Sequence, residues 1–122
     1  MAKIKQLAEA RSLFNPFPAD NLSSIGADGH RGRMRARLLT AGPDALADHE
    51  MLEMVLFLAL PRRDTKPIAR ALLARFGSFA GTIAAPVPAL LAIDGLGEAG
   101  AAALKLVQGS ALRLLRDDAR SK

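Results

Sequence analysis

The stretch Leu90-Leu91-Ala92-Ile93-Asp94-Gly95-Leu96-Gly97-Glu98-Ala99-Gly100-Ala101-Ala102-Ala103-Leu104 decides the fold. Leu90, Leu91 and Ile93 suit the apolar side of a short helix over 88–93. Asp94-Gly95-Leu96-Gly97 reads as a tight turn. A longer helix follows, from 98 to about 116, with Ala101, Leu104, Val107, Ala111, Leu112 and Leu115 available for a core. Two glycines let the backbone turn sharply and approach a ligand closely. Leu96 between them anchors the turn to the core. The first N–H groups of the next helix have no intrahelical acceptor, so they offer an anion site that suits a phosphate. Such a contact fixes position on a nucleic-acid backbone and reads no bases.

Gly100 completes a formal Gly-x-Gly-x-x-Gly fingerprint. A dinucleotide-binding reading still fails, because no strand precedes the turn and both flanks are helical. The segment instead resembles a helix-hairpin-helix DNA-binding motif.

Composition extends the helical reading to the whole chain. Of 122 residues, 24 are Ala and 20 are Leu, against 11 Val, Ile and Thr together. That balance favours helices over strands and implies an all-α fold, a small bundle of about six helices. The other helices are expected over 30–41, from 45 or 48 to 60, over 64–76 and over 79–84. Gly42-Pro43, Pro61 and Gly77 end three of them, and Asp64 and Ser78 are candidate caps. The segment 51–60 is apolar on nearly every side and reads as the buried central helix. Gly109 interrupts the last helix and suggests close approach of a neighbour. Residues 1–29, rich in Pro, Asn, Ser and Gly beyond position 14, read as an arm, 30–116 as the domain and 117–122 as a frayed tail.

Several function classes drop out. There is no cysteine, so disulfides, a thiol nucleophile and the usual structural zinc ligands are excluded. His30 and His49 lie on different expected helices and form no metal site. No nucleophile–base pair assembles: Ser78 reads as a cap, and the carboxylates are spread over helix surfaces. No catalytic residue, metal or cofactor is therefore expected. The first ten residues carry Lys3, Lys5 and Glu9 and no signal-peptide core. The run 51–60 contains Glu53 and is about half the roughly 20 residues of a membrane span. A cytoplasmic protein without membrane contact is the expectation.

The net charge of +5 conceals a segregation. Residues 41–60 hold Asp44, Asp48, Glu50 and Glu53 and no Lys or Arg, a charge of −4. The remainder carries 17 basic against 8 acidic residues, or +9. Arg31, Arg33, Arg35 and Arg37 decorate the helix over 30–41, whose apolar stripe is Met34, Leu38 and Ala41. This face is either a DNA-contacting surface or a solvated one whose arginine stems lie over the core.

A longer set of residues resembles the N-terminal domain of the RadC family. It comprises Gly29-His30-Arg31, Leu38-Leu39, Gly42-Pro43, Ala45-Leu46, Asp48 with Glu50-Met51-Leu52, and Phe57-Leu58. It continues with Pro61-Arg62-Arg63-Asp64, Lys66-Pro67, Ala71-Leu72-Leu73, Arg75-Phe76-Gly77-Ser78 and the hairpin. The resemblance covers about 29–115. It implies a helical domain with a hairpin like those of the RuvA and UvrC repair proteins. In that family a JAB/MPN-like domain with a His-x-His…Ser…Asp metal pattern follows, and nothing in this chain matches it. One departure stands out. RadC sequences often place Lys at the position of Gly100, whereas the turn here reads Glu98, Ala99, Gly100.

Two functions follow. The first is a non-catalytic, sequence-nonspecific DNA-binding module of repair or recombination, with branched DNA among its candidate partners. Its expected contacts are Gly95, Leu96 and Gly97 of the hairpin, Lys105 two turns on, and Arg31, Arg33, Arg35, Lys66 and Arg70. The second is an adaptor with a degenerate hairpin that serves a C-terminal metal-dependent JAB-like domain.

Overall fold

The computed structural model describes residues 26–121. Among them all regular structure is helical: α1 (Gly26–Ala41), a 3-10 turn (Pro43–Ala45), α2 (Asp48–Ala59), α3 (Lys66–Phe76), α4 (Phe79–Ala84), α5 (Val87–Leu91) and α6 (Gly97–Arg120). The fold is the all-α bundle that the Ala and Leu excess implies. The chain divides into two compact units, Met1–Ala47 and Asp48–Lys122.

In the first unit, α1 starts at Gly26, four residues before the expected 30. Glycine lowers helix propensity by about 1 kcal/mol without forbidding a helix, and Gly26, Gly29 and Gly32 all lie inside α1. The rest of the expected arm, residues 1–25, lies outside the described residues. Met34 is buried, Arg31 half-buried, and Arg33, Arg35 and Arg37 exposed. That pattern follows from the helical spacing of Met34 and Leu38.

In the second unit the core joins Leu52 and Leu56 of α2, Ile68, Ala69 and Leu72 of α3, Leu90 of α5, and Leu96, Ala101 and Leu104 around the start of α6. Helix α2 is the central helix its apolar sequence implies, with Leu52, Glu53, Met54, Leu56 and Phe57 buried, and Leu58 is the exception at 70% exposed. Its period places Leu52 and Leu56 inward, and Leu58 falls on another face. Helix α3 begins at Lys66 with Thr65 as its N-cap residue. Asp64 stands one position further out, where its carboxylate accepts the Lys66 N–H at 3.3 Å.

Helix α4 has six residues, too few to stand alone. Side chains hold both of its ends. At the start, Ser78 Oγ accepts the Gly81 N–H at 2.9 Å, and Asp48 Oδ2 accepts the Phe79 N–H at 2.9 Å. The buried Thr82 hydroxyl donates to the Ser78 carbonyl at 2.7 Å. At the end, Lys105 Nζ donates to the carbonyls of Ile83 at 3.0 Å and Ala85 at 2.9 Å.

Helix α6 runs 24 residues, about 36 Å at 1.5 Å per residue. The residues expected to fray are helical as far as Arg120, and the Ser121 N–H closes the last turn on the Asp117 carbonyl at 3.1 Å. Polar residues alone do not stop a helix, and neither Gly nor Pro follows Gly109. From Leu112 onward every described residue is exposed, so Leu112 and Leu115 are not core residues. The core has ended before their turns are reached. Gly109 has no close neighbour either: a methyl group there would meet nothing within 4 Å. Gly109→Ala is accordingly expected to stabilise the chain by about 1 kcal/mol. The midpoint of thermal unfolding should rise by about 4–8 °C; an unchanged or lower midpoint would reveal a contact at this position.

Candidate nucleic-acid interface

The hairpin is built by hydrogen bonds of short span. After α5, the Ile93 N–H donates to the Leu90 carbonyl at 3.0 Å, and the Leu96 N–H to the Ile93 carbonyl at 3.2 Å. Gly95 and Gly97 have φ of 84° and 66°, the left-handed region that side chains disfavour. Leu96 between them is fully buried. The turn is therefore pinned inward by Leu96, while Gly95, Gly97, Glu98 and Ala99 are exposed. Helix α6 begins at Gly97, so the amides of residues 97–99 have no acceptor four residues back.

Gly100 has a packing explanation. It is buried, and a Cβ there would lie 2.9 Å from Leu96 Cγ. The absence of a side chain lets Leu96 seat fully. Any side chain at this position would require Leu96 to move.

A residue absent from the expected site joins the hairpin from elsewhere. Arg63, in the loop between α2 and α3, donates from Nη1 to the Gly95 carbonyl at 2.9 Å. Ile68 of α3 lies against the same turn: a Cβ on Gly95 would fall 3.4 Å from Ile68 Cδ1. The start of α3 thus borders the hairpin. Lys66 and Arg70 are exposed on α3, and Arg62 is exposed beside Arg63. In Pro61-Arg62-Arg63-Asp64 no local pattern links Arg63 to a turn 32 residues away.

The remaining expected residues are placed differently. Lys105 is half-buried and its ammonium donates to two carbonyls at the end of α4, so it acts as a cap. Its place two turns into the hairpin helix makes it an expected phosphate contact; in the structure its ammonium bonds the Ile83 and Ala85 carbonyls that end short α4. Arg31, Arg33 and Arg35 belong to α1, in the other unit. Among the described residues, no three His, Asp or Glu side chains come together as a metal site. No described helix is long and apolar enough to cross a membrane.

Over 87 residues the chain is 48% identical to a UPF0758 protein of Ruegeria pomeroyi, covering 71% of this chain and 39% of that protein. Over 83 residues it is 51% identical to a UPF0758 protein of Rhodobacter capsulatus, covering 68% of this chain and 39% of that one. The chain spans less than half the length of these relatives. No family model matches it, and no solved structure does.

Proposed function

We propose that the chain is a RadC-like helix-hairpin-helix module that binds DNA through its phosphate backbone, without catalysis and without reading sequence. UPF0758 is the RadC family's name, which agrees with the residues that carry the resemblance. The carrying observation is the hairpin: a fully buried Leu96 between two glycines of positive φ, opening directly into the exposed first turn of a 24-residue helix. Exposed amides at that turn suit a phosphate oxygen, and exposed Arg62, Arg63 and Lys66 add positive potential on the bordering loop and helix start. Repair or recombination of cytoplasmic DNA is the process this reading fits.

The test is a titration of labelled duplex, forked and single-stranded DNA across 50–200 mM salt, roughly the range where phosphate contacts are lost. Binding is expected to weaken steeply with salt and to be indifferent to sequence. No salt-sensitive binding at tens of micromolar protein (about the weak end of nonspecific affinity) would sink the reading.

The adaptor reading also has an observation in its favour. Leu112 and Leu115 are exposed three positions apart on one face of the far half of α6, a spacing that a partner helix could cover. A helical adaptor serving a metal-dependent JAB-like domain would use it, and would give no DNA signal in the titration.

A further inference from the structure

We propose that Arg63 is the positioning residue of the hairpin: it sets the direction of the amides that meet phosphate and brings them the positive charge their own helix turn lacks. The proposal rests on the DNA-binding reading for its ligand, but its geometric half stands on bonds already described.

The peptide group between Gly95 and Leu96 is planar, so its carbonyl and N–H move together. Both ends of that plane are held. Arg63 Nη1 donates to the Gly95 carbonyl at 2.9 Å, and the Leu96 N–H donates to the Ile93 carbonyl at 3.2 Å. The next peptide plane carries the Leu96 carbonyl, which accepts the Gly100 N–H at 3.3 Å, and the Gly97 N–H, the first exposed amide of α6. One peptide therefore separates the guanidinium contact from the amide offered to a ligand. Gly95 and Gly97 have the widest backbone freedom of any residue type, and the Arg63 contact from outside the hairpin adds a third restraint to the two local bonds.

Glu98 lies in the first turn of α6 and would oppose a phosphate, and Ala99 and Gly100 bring no cation. The Gly95 carbonyl would add a further negative end to the exposed turn. A guanidinium bonded to that oxygen offsets it and places a permanent positive charge beside the amides. A hairpin whose first helical turn holds Glu98 and no cation thus receives one from the α2–α3 loop.

The experiment uses the full chain labelled with nitrogen-15, as wild type, Arg63→Ala and Arg63→Lys. Amide shifts of residues 95–99 are read against that of Gly81, in the first half of α4. Binding to a labelled duplex is read across salt. In Arg63→Ala the hairpin amides should move while Gly81 does not. Affinity should fall several-fold, and the slope of log affinity against log salt should drop by about 1. Arg63→Lys should recover the slope but leave the hairpin amides displaced, because an ammonium lacks the planar fork. Unmoved hairpin amides in either variant, or wild-type affinity and slope in Arg63→Ala, would overturn the proposal. If wild type itself binds no DNA, the DNA-binding reading fails and the amide shifts alone decide whether Arg63 positions the turn. If Arg63→Ala does not fold, the amide shifts of Arg63→Lys decide it.

Discussion

Gly81→Ala is expected to cost about 3 kcal/mol, near the upper end for forcing one extra carbon into a packed site. A Cβ at position 81 overlaps the Phe76 carbonyl oxygen and lies 3.2 Å from Ser78 Oγ. The carbonyl belongs to the backbone at the end of α3, so no side-chain rotation relieves the overlap. Either α4 shifts away from α3 or the Ser78 cap on the Gly81 amide is lost, and such a cap is worth about 1 kcal/mol. The better helix propensity of alanine returns only about 1 kcal/mol. In urea, the unfolding midpoint should fall without much change in slope. The contrast with Gly109→Ala is informative, because one chemical change carries opposite signs at two helical glycines. A Gly81→Ala variant as stable as wild type would mean that α4 is not held against Phe76 as described.

Leu96→Ala is expected to destabilise by about 2–5 kcal/mol, the range for emptying a fully buried leucine site. Its neighbour supplies a sharper test. Gly100→Ala alone pushes a methyl carbon to 2.9 Å from Leu96 Cγ and should destabilise. With Leu96 already cut back to alanine, the same methyl enters vacated space and adds helix propensity, so it should become neutral or stabilising. Unfolding free energies of wild type, both single variants and the double variant should therefore show a favourable coupling of about 1 kcal/mol. Strict additivity would show that Gly100 is not glycine on account of Leu96. If the chain binds DNA as proposed, loss of Leu96 should also remove that salt-dependent binding, since the turn would lose its inward anchor.

The features legible in the sequence are those carried by neighbouring residues. The Gly95-Leu96-Gly97 turn, the Ser78 cap and the stops at Gly42-Pro43, Pro61 and Gly77 depend on contacts of a few positions, and each is found. The features that were missed span long separations. Asp48 reaches Phe79 across 31 residues, and Arg63 reaches Gly95 across 32. Lys105 reaches Ala85 across 20. An arginine in a loop and a lysine on a helix look alike in sequence whether they face solvent, a carbonyl or a phosphate. Periodicity likewise marks Leu58, Leu112 and Leu115 as apolar, but only the extent of the folded core decides which turns are covered. The Arg63–Gly95 and Lys105–Ala85 bonds are illegible in the sequence for the same reason.

Helix α6 combines two thermodynamic regimes in one continuous rod. Its first half is tied to the core through Ala101 and Leu104, whereas the turns from Leu112 to Arg120 are exposed throughout. The anchored half supplies the nucleus, so the outer turns add without a fresh nucleation penalty. By the same token they carry almost no tertiary stabilisation, and they open from the tip inward before the core yields. Warming should therefore shorten the rod gradually while its base stays fixed, and the reach of α6 beyond the bundle is set by temperature and solvent as well as by sequence.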